Sequence, residues 1–387
     1  MDFSNQEMRR RFSGLREIMS RLDLDAVIIM GDTVLNGPFI NFSQRYFTQN
    51  NLIESYQILF LQKEYEPLLI SAGPLQYEAN IVRSQISNCI VAPNQISKLI
   101  ELLKDSCLCA GRVGCTLDML PASWYKTLRE QLPALQLIEL NREIISLHFQ
   151  KSEEEIEKAK VSASLADKAY ARACSVIRAG RAEYEVTAEI EYETNRLGAC
   201  KNFTLITSGS EETVFSSGIP KLYPASKRIL EGGDTVLLEI TPQFDGYWAQ
   251  LLRTVCIADK PTSITSALHR VCVDVINYSL NFIKPGVTVK DIWAHMHRYV
   301  TAYGFVLQAS IGHVASVDLV DDRLTSTNPR RINSGETLII HPCVCTQDQV
   351  HCFTWGQTYL VTDNGAVSLN RASDELICVN TMSTNTY

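Results

Sequence analysis

Near its carboxyl end the chain groups several side chains that could do chemistry, in the segment HPCVCTQDQVHC that starts at His341. The segment offers two imidazoles, at His341 and His351, and three thiols, at Cys343, Cys345 and Cys352. Imidazoles and thiolates are ligands for borderline and soft metal ions. The Cys-x-Cys spacing differs from the usual zinc knuckle, however, so the segment predicts no standard zinc site.

The same segment has a second use if it is a strand. Strand side chains alternate between the two faces of a sheet, so Cys343 and Cys345 would face a pocket if His341 does. A nearby imidazole lowers the pKa of a thiol, which would make Cys343 a candidate nucleophile. The alternative is that both cysteines pack in the core. The pattern leaves both interpretations open.

The elements that must position these residues lie in residues 149–387. The stretch KSEEEIEKAKVSASLADKAYARACSVIRAG predicts a long helix with Ser152 as its N-cap. Further helices are predicted at Glu183–Gly198 and Ser263–Ile283. Strand patterns follow at Leu205–Thr207, Thr235–Thr241, Tyr247–Ile257, Thr337–Cys345 and Thr358–Thr362.

Residues 1–148 have the pattern of a smaller α/β domain. Apolar residues at helical spacing predict a helix from Met8 to Leu22. Short apolar runs predict the strands DAVIIMG and NCIVAP, a strand in GRVGCTLDMLP, and two strands within SYQILFLQKEYEPLLIS. The alternating helix and strand patterns give way to a long helical pattern near Leu147 to Ser152, which predicts a domain boundary there and a second domain over 149–387.

Composition restricts the classes of function. The chain has 387 residues, 45% of them hydrophobic, and a formal net charge of −7. No basic stripe is available for nucleic acid, and no run of apolar residues is long enough to span a membrane. Twelve cysteines without regular spacing, and no apolar signal segment, predict free thiols in the cytoplasm.

Several strings, in order along the chain, resemble one known family. They are LHFQKSEEEIEKAKVSASLADKA, LEGGDTVLLEITPQFDGYWAQLLRTVCI, GHVASVDL, INSGETLIIHP and GQTYLVTDNGA. Together they resemble the pita-bread family of creatinase, prolidase, aminopeptidase P and methionine aminopeptidase. The resemblance implies an α+β class protein, with a pita-bread catalytic domain preceded by a creatinase-type N-terminal α/β domain. It also implies a homodimer that acts on a small molecule.

Peptidase members of this family hold two divalent metal ions with two aspartates, one histidine and two glutamates. By correspondence of the motifs, these positions are occupied here by Glu239, Gln250, His313, His341 and Gly356. Only one of the five is a carboxylate, whereas a pair of hard divalent ions needs several carboxylates to balance its charge. The sequence therefore predicts a site with no dinuclear metal centre and no cofactor.

Other residues are expected around the same pocket. The resemblance places Ser216 where the family has a histidine upstream of the hairpin. Trp248 shares a strand face with Gln250. Together with Cys343, these residues are predicted to bind the substrate.

Three functions remain possible from the sequence. The first is a metal-independent enzyme that cleaves a C–N bond in a small amino-acid-derived substrate, or performs a related cyclisation or elimination. In it His313 and His341 serve as acid and base, and Glu239 anchors a cationic group or orients a histidine. The second is a non-catalytic pseudo-peptidase that binds a ligand. The third is an Xaa-Pro-type metallopeptidase that holds one metal ion through Glu239 and His313.

Overall fold

The protein is analysed as a computed structural model that describes residues 3–31, 43–50, 56–215 and 219–379. It divides into two compact units, Met1–His148 and Phe149–Tyr387. Within the described ranges, no helix combines the length and the apolar character needed to cross a lipid bilayer.

The first unit is a six-stranded mixed sheet with helices around it. The sheet order is β4-β3-β2-β1-β5-β6, in which the β1–β2 and β2–β3 pairs are antiparallel and the others parallel. Its elements are α1 (Asn5–Arg21), β1 (Ala26–Gly31), α2 (Ser43–Thr48), β2 (Gln57–Gln62), β3 (Leu68–Ser71), α3 (Pro74–Arg83), β4 (Asn88–Val91), α4 (Gln95–Asp105), β5 (Arg112–Cys115), a 3-10 turn (Leu117–Met119), α5 (Ala122–Gln131), β6 (Gln136–Glu139) and α6 (Asn141–Phe149).

The structure confirms the helix and the strands predicted for this unit. Their sequence signals are local and strong, which explains why they could be predicted. Helix α1 begins after Ser4, whose hydroxyl accepts a hydrogen bond from the Glu7 amide and so caps the first turn. Strand β1 is buried along its whole length, as its unbroken apolar run requires. The result is the α/β domain that the sequence predicts.

The second unit is built around a ten-stranded, largely antiparallel sheet. The main order is β13-β12-β14-β17-β10-β8-β7, and a separate three-stranded sheet has the order β11-β15-β16. The elements are α7 (Glu153–Val176), α8 (Glu183–Arg196), β7 (Lys201–Gly209), α9 (Glu211–Val214), β8 (Thr235–Phe244), β9 (Tyr247–Trp248), β10 (Leu251–Cys256), α10 (Ser263–Ser279), α11 (Val289–Ala302), β11 (Val306–Leu307), β12 (Ser310–Val314), β13 (Asp322–Thr325), β14 (Thr337–Ile340), β15 (Cys343–Cys345), β16 (Cys352–Thr354), β17 (Gly356–Thr362), β18 (Gly365–Ser368) and β19 (Ile377–Cys378).

The long helix α7 is confirmed together with its cap. The Ser152 hydroxyl accepts from the Glu155 amide at 3.3 Å, and the Glu155 carboxylate accepts from the Ser152 amide at 2.8 Å. This reciprocal capping box satisfies two amides that the helix itself leaves unpaired. Helix α10 ends at Ser279, four residues before the predicted end at Ile283.

The continuous strand predicted over Thr337–Cys345 is wrong. Strand β14 stops at Ile340, and β15 starts at Cys343 in the three-stranded sheet. Pro342 separates them, and proline has no amide hydrogen to donate to a strand ladder. The break matters for function, because it ends the alternation that would have placed Cys343 on the same face as His341.

Candidate active site

The pairing of neighbouring strands places Glu239, Gly356 and His341, three of the metal-ligand positions, on one face of the large sheet. Glu239 on β8 is directly opposite Leu252 on β10, which is opposite Gly356 on β17. His341 follows β14 and lies beside Gly356, while its amide donates to the Ile311 carbonyl of β12 at 2.9 Å. Because paired residues share a face, the antiparallel register gathers side chains that are distant in sequence.

Gly356 lies too close to the end of β14 to carry a side chain. A Cβ atom built on Gly356 would lie 2.2 Å from the Ile340 carbonyl oxygen and 2.4 Å from the His341 Cβ. Real Cβ atoms do not approach so closely, so this backbone admits no side chain at position 356. The adjacent Gln357 faces away: its amide oxygen accepts from Arg253 at 2.6 Å. A ligand at this end of the site therefore comes from His341 alone.

The two histidines form an edge-to-face pair in the pocket. Their ring centroids are 5.4 Å apart with an interplanar angle of 66°. Burial, with a smaller effect from His341, lowers the pKa of His313 to about 3. Burial, with a smaller effect from Arg323, lowers the pKa of His341 to about 4. Both rings are therefore neutral at pH 7, which suits them to donate or accept a hydrogen bond rather than to act as cationic acids.

Glu239 is the titratable group tuned to neutral pH. Burial raises the pKa of its carboxyl to about 7, although hydrogen bonding with the Gln250 amide lowers it in part. A carboxyl group with this pKa both accepts and releases protons near pH 7. These pKa values favour Glu239 over the histidines for proton transfer. The sequence expectation gives the acid and base roles to His313 and His341, with Glu239 anchoring a cationic group or orienting a histidine.

Gln250 is held firmly beside this carboxyl. Its side-chain nitrogen donates to the Thr241 hydroxyl at 3.2 Å, and its backbone amide donates to the Thr358 hydroxyl at 2.9 Å. Two buried polar atoms here, Gln250 Oε1 and His313 Nδ1, lack a hydrogen-bond partner among the described residues. Because buried polar atoms are nearly always paired, both are suited to receive a water molecule or a ligand.

Trp248 is a buried residue beside the site. The residue is 2% exposed, and its indole packs against Ala315, Leu319 and Ile339. The indole nitrogen donates to the Val317 carbonyl at 3.1 Å, which fixes the ring. In the turn that replaces the family's glycine-rich turn, Ala315 packs against Trp248 and the Ser316 carbonyl accepts a hydrogen bond from the Trp248 amide at 3.1 Å.

The remaining predicted substrate-binding residues are not gathered with this group. Cys343 lies on β15 in a different sheet, where its Sγ is 3.9 Å from that of Cys345. Hydrogen bonding with Cys345 and Cys352, together with burial, raises its pKa well above the usual value of a thiol, which disfavours a nucleophilic thiolate. Ser216 lies outside the described residues.

One residue near the pocket has no signal in the sequence. Arg323 on β13 is paired directly with His313 on β12 and is exposed to solvent. Its positive charge helps to lower the pKa of both His313 and His341. Only the strand register reveals this neighbour, because ten residues separate it from His313 and no motif marks it. An arginine at the rim of a pocket favours ligands with a carboxylate or phosphate group.

Comparison with known proteins adds the family context. Residues 157–363 match metallopeptidase family M24, and residues 11–147 match the creatinase/prolidase N-terminal domain. The chain is 26% identical over 362 residues to a creatinase from a Bacillus species, covering 88% of this chain and 85% of that protein. It is 25% identical over 263 residues to an Xaa-Pro dipeptidase from Pyrococcus horikoshii, covering 67% of this chain and 73% of that protein. The crystal structure of an Xaa-Pro dipeptidase from Bacillus anthracis superposes with a TM-score of 0.82 at 20% identity, covering 96% of this chain and all of that chain.

Proposed function

Since the chain belongs to metallopeptidase family M24 and carries the creatinase/prolidase N-terminal domain, we propose that it hydrolyses a C–N bond in a small amino-acid-derived molecule without a dinuclear metal centre. The supporting observation is the set of side chains at the five family ligand positions. They provide one carboxyl, one amide and two imidazoles, and the fifth position has no side chain.

This donor set does not fit two divalent metal ions. Such a pair brings about four positive charges to one place and is normally bridged by carboxylates. Glu239 is the single carboxyl at these positions, and its raised pKa leaves it only partly ionised at pH 7. No side chain at position 356 can replace the missing ligand, because an added Cβ would overlap the Ile340 carbonyl oxygen and the Cα and Cβ atoms of His341.

The groups present can perform hydrolysis by proton transfer. In the proposed reaction, Glu239 accepts a proton from a water molecule as the water oxygen bonds to the substrate carbon. The C–N bond then breaks, and the same proton passes from Glu239 to the departing nitrogen. The neutral imidazoles of His313 and His341 donate hydrogen bonds to the oxygen that gains negative charge. The Arg323 guanidinium favours a substrate with a carboxylate.

The two other functions predict different behaviour. A binding module fits the packing of the buried Trp248 against Ala315, which places a large side chain beside the site. It would bind a ligand without turnover. A peptidase that uses one metal ion through Glu239 and His313 would lose its activity in a chelator. The homodimer implied by the resemblance stays a prediction, and so does the cytoplasmic location inferred from the cysteines and the absence of an apolar signal segment.

A substrate screen, run with and without a metal chelator, tests the proposed function. Xaa-Pro dipeptides, creatine and other N-substituted amino acids are incubated with the full-length protein, and newly released amine or urea is measured. We expect turnover of at least one compound, with a rate that excess EDTA does not change. Turnover should fall in both His313→Ala and His341→Ala, whereas His297→Ala, a histidine on α11 outside the site, should keep it. Loss of activity in EDTA, or ligand binding with no turnover, would contradict the proposal.

A further inference from the structure

A second cluster of reactive side chains lies in the three-stranded sheet, apart from the residues assigned to hydrolysis. It consists of Cys343 and Cys345 on β15 and Cys352 on β16, which we call the thiol cluster. The three Sγ atoms all lie within 4.8 Å of one another, and none of the three is in a disulfide. Each side chain is buried, with an exposure between 0 and 7%.

The strand register creates this cluster. Cys343 and Cys345 are two residues apart on one strand, so their side chains share a face. Cys345 is directly opposite Cys352 in the antiparallel β15–β16 pair. The next residue pair, Thr346 with His351, is hydrogen-bonded, because the Thr346 amide donates to the His351 carbonyl. Hydrogen-bonded and non-hydrogen-bonded pairs alternate along an antiparallel ladder, so Cys345 and Cys352 form a non-hydrogen-bonded pair. Side chains approach each other most closely at that type of pair.

The spacing of the sulfur atoms fits one metal ion between them. With metal–sulfur bonds of about 2.3 Å, three sulfurs in a plane around one ion lie about 4.0 Å apart. The Sγ atoms of Cys343 and Cys345 are 3.9 Å apart. A small rotation about the Cα–Cβ bond of Cys352 would bring its Sγ atom to a similar distance from the other two. The cluster is therefore close to the geometry of a trigonal thiolate site.

The number and type of ligands favour monovalent copper. Soft thiolate ligands select Cu(I), zinc or iron–sulfur clusters. Structural zinc is almost always four-coordinate, and among the described residues the group of mutually close ligand atoms contains three members. Burial of all three side chains leaves little room for water as a fourth ligand. Cu(I) is satisfied by three soft thiolates, whereas a divalent ion such as zinc would require a fourth donor.

A route to the cluster is present at the end of the hairpin. The residues of the β15–β16 turn at positions 347–350 are exposed. The Cys345–Cys352 pair lies one residue pair inside this turn. Local opening of the turn would therefore expose the sulfurs without disturbing the large sheet, since hairpin ends open at low free-energy cost.

We propose that the thiol cluster is a binding site for one Cu(I) ion, coordinated by the sulfurs of Cys343, Cys345 and Cys352. This proposal does not rest on the proposed hydrolase function, because its observations concern the three-stranded sheet and not Glu239.

Titration under anaerobic, reducing conditions tests this site. Full-length protein is titrated with Cu(I) against bicinchoninate, a chelator that competes for the ion. We expect one Cu(I) to be retained per chain, and X-ray absorption to report three sulfur ligands at about 2.3 Å. This second measurement uses the unaltered protein, so it does not depend on how any variant folds. Failure to hold Cu(I) against the chelator, or fewer than three sulfur ligands, would overturn the proposal.

Variants separate this cluster from other cysteines. Cys345→Ser and Cys352→Ser should each weaken Cu(I) binding by at least about 100-fold, because loss of even an outer partner of a metal ligand costs 10- to 100-fold. The control is the double variant Cys107→Ser/Cys109→Ser, which removes a second Cys-x-Cys sequence whose side chains are exposed in the first unit. It should bind Cu(I) as the unaltered protein does. Equal losses in the control and in the cluster variants would also overturn the proposal.

Discussion

Replacing Glu239 by glutamine is expected to lower turnover of the substrate by about 10²- to 10⁴-fold, the usual contribution of a group that transfers protons. The substitution keeps the size of the side chain and removes its ability to exchange a proton near pH 7. The pH profile of the unaltered protein should change slope near pH 7, where the Glu239 carboxyl titrates. That feature should be absent from any residual activity of the variant.

The same substitution should stabilise the protein at high pH. The Glu239 carboxyl has a pKa of about 7 in the folded chain, against 4.5 as the ordinary value. Between these values the folded state binds more protons than the unfolded state, so this group makes the free energy of unfolding fall as pH rises. Glu239→Gln removes that loss. The variant should therefore gain up to about 3 kcal/mol relative to the unaltered protein above pH 7, and this gain should vanish towards pH 4.5.

Opposite changes in activity and stability distinguish a functional carboxyl from a structural one. Denaturant unfolding at pH 4.5, 6 and 8 measures the stability change. Glu212→Gln, which neutralises an exposed carboxylate on α9, is the matched control and should alter neither quantity. A variant that retains full turnover, or a stability difference that does not vary with pH, would contradict the role assigned to Glu239.

Gly312→Ala is expected to destabilise the protein by about 3 kcal/mol or more. Gly312 precedes His313 on β12 and has a φ of +140°, a backbone conformation that side chains disfavour. An added Cβ would also lie 1.9 Å from the Ile339 carbonyl oxygen of β14. Relief of this overlap requires β12 and β14 to separate, which would also move His313.

Gly286→Ala separates the two causes of this loss, the strain of a positive φ and the overlap of an added Cβ with a neighbouring strand. Gly286 also has a positive φ, of +87°, but an added Cβ there meets no atom within 4 Å. Its substitution should cost only the conformational strain, about 1 to 2 kcal/mol. The denaturation midpoints of the two variants give the comparison. If both lost the same stability, close approach of β12 and β14 at Gly312 would not be the reason for the glycine.

The sequence predicts most elements of this fold because their signals are local. The N-cap at Ser152 and the apolar run of β1 depend only on neighbouring residues, and both are found as expected. Strand continuity across Pro342 could not be predicted as safely. The apolar pattern continues through this position, but proline lacks the amide hydrogen that a strand ladder needs. The strand therefore ends there, and the residues on either side belong to different sheets.

The site itself was predicted less completely, because it depends on pairing between distant strands. The motifs identify Glu239, Gln250 and the two histidines, and the sheet register gathers Glu239 and His341 with Gly356. Neither motif nor spacing indicates that the backbone at the end of β14 excludes a side chain at position 356. The pKa values could not be anticipated either, since they arise from burial of Glu239 and the imidazoles in the folded chain.

Manganese titration tests the central claim most directly, because Mn²⁺ is a hard ion that avoids thiolates and prefers carboxylates. Comparison of the unaltered protein with Glu239→Gln shows whether any bound ion lies at the sheet site. Purified, metal-free protein is titrated with Mn²⁺, and the free ion is followed by electron paramagnetic resonance. We expect the side chains around Glu239 to retain no stoichiometric Mn²⁺ at a micromolar concentration of the free ion, because they include only one carboxyl group and it is partly protonated at pH 7. Two Mn²⁺ ions bound per chain, released by Glu239→Gln and required for cleavage of an Xaa-Pro dipeptide, would contradict this account.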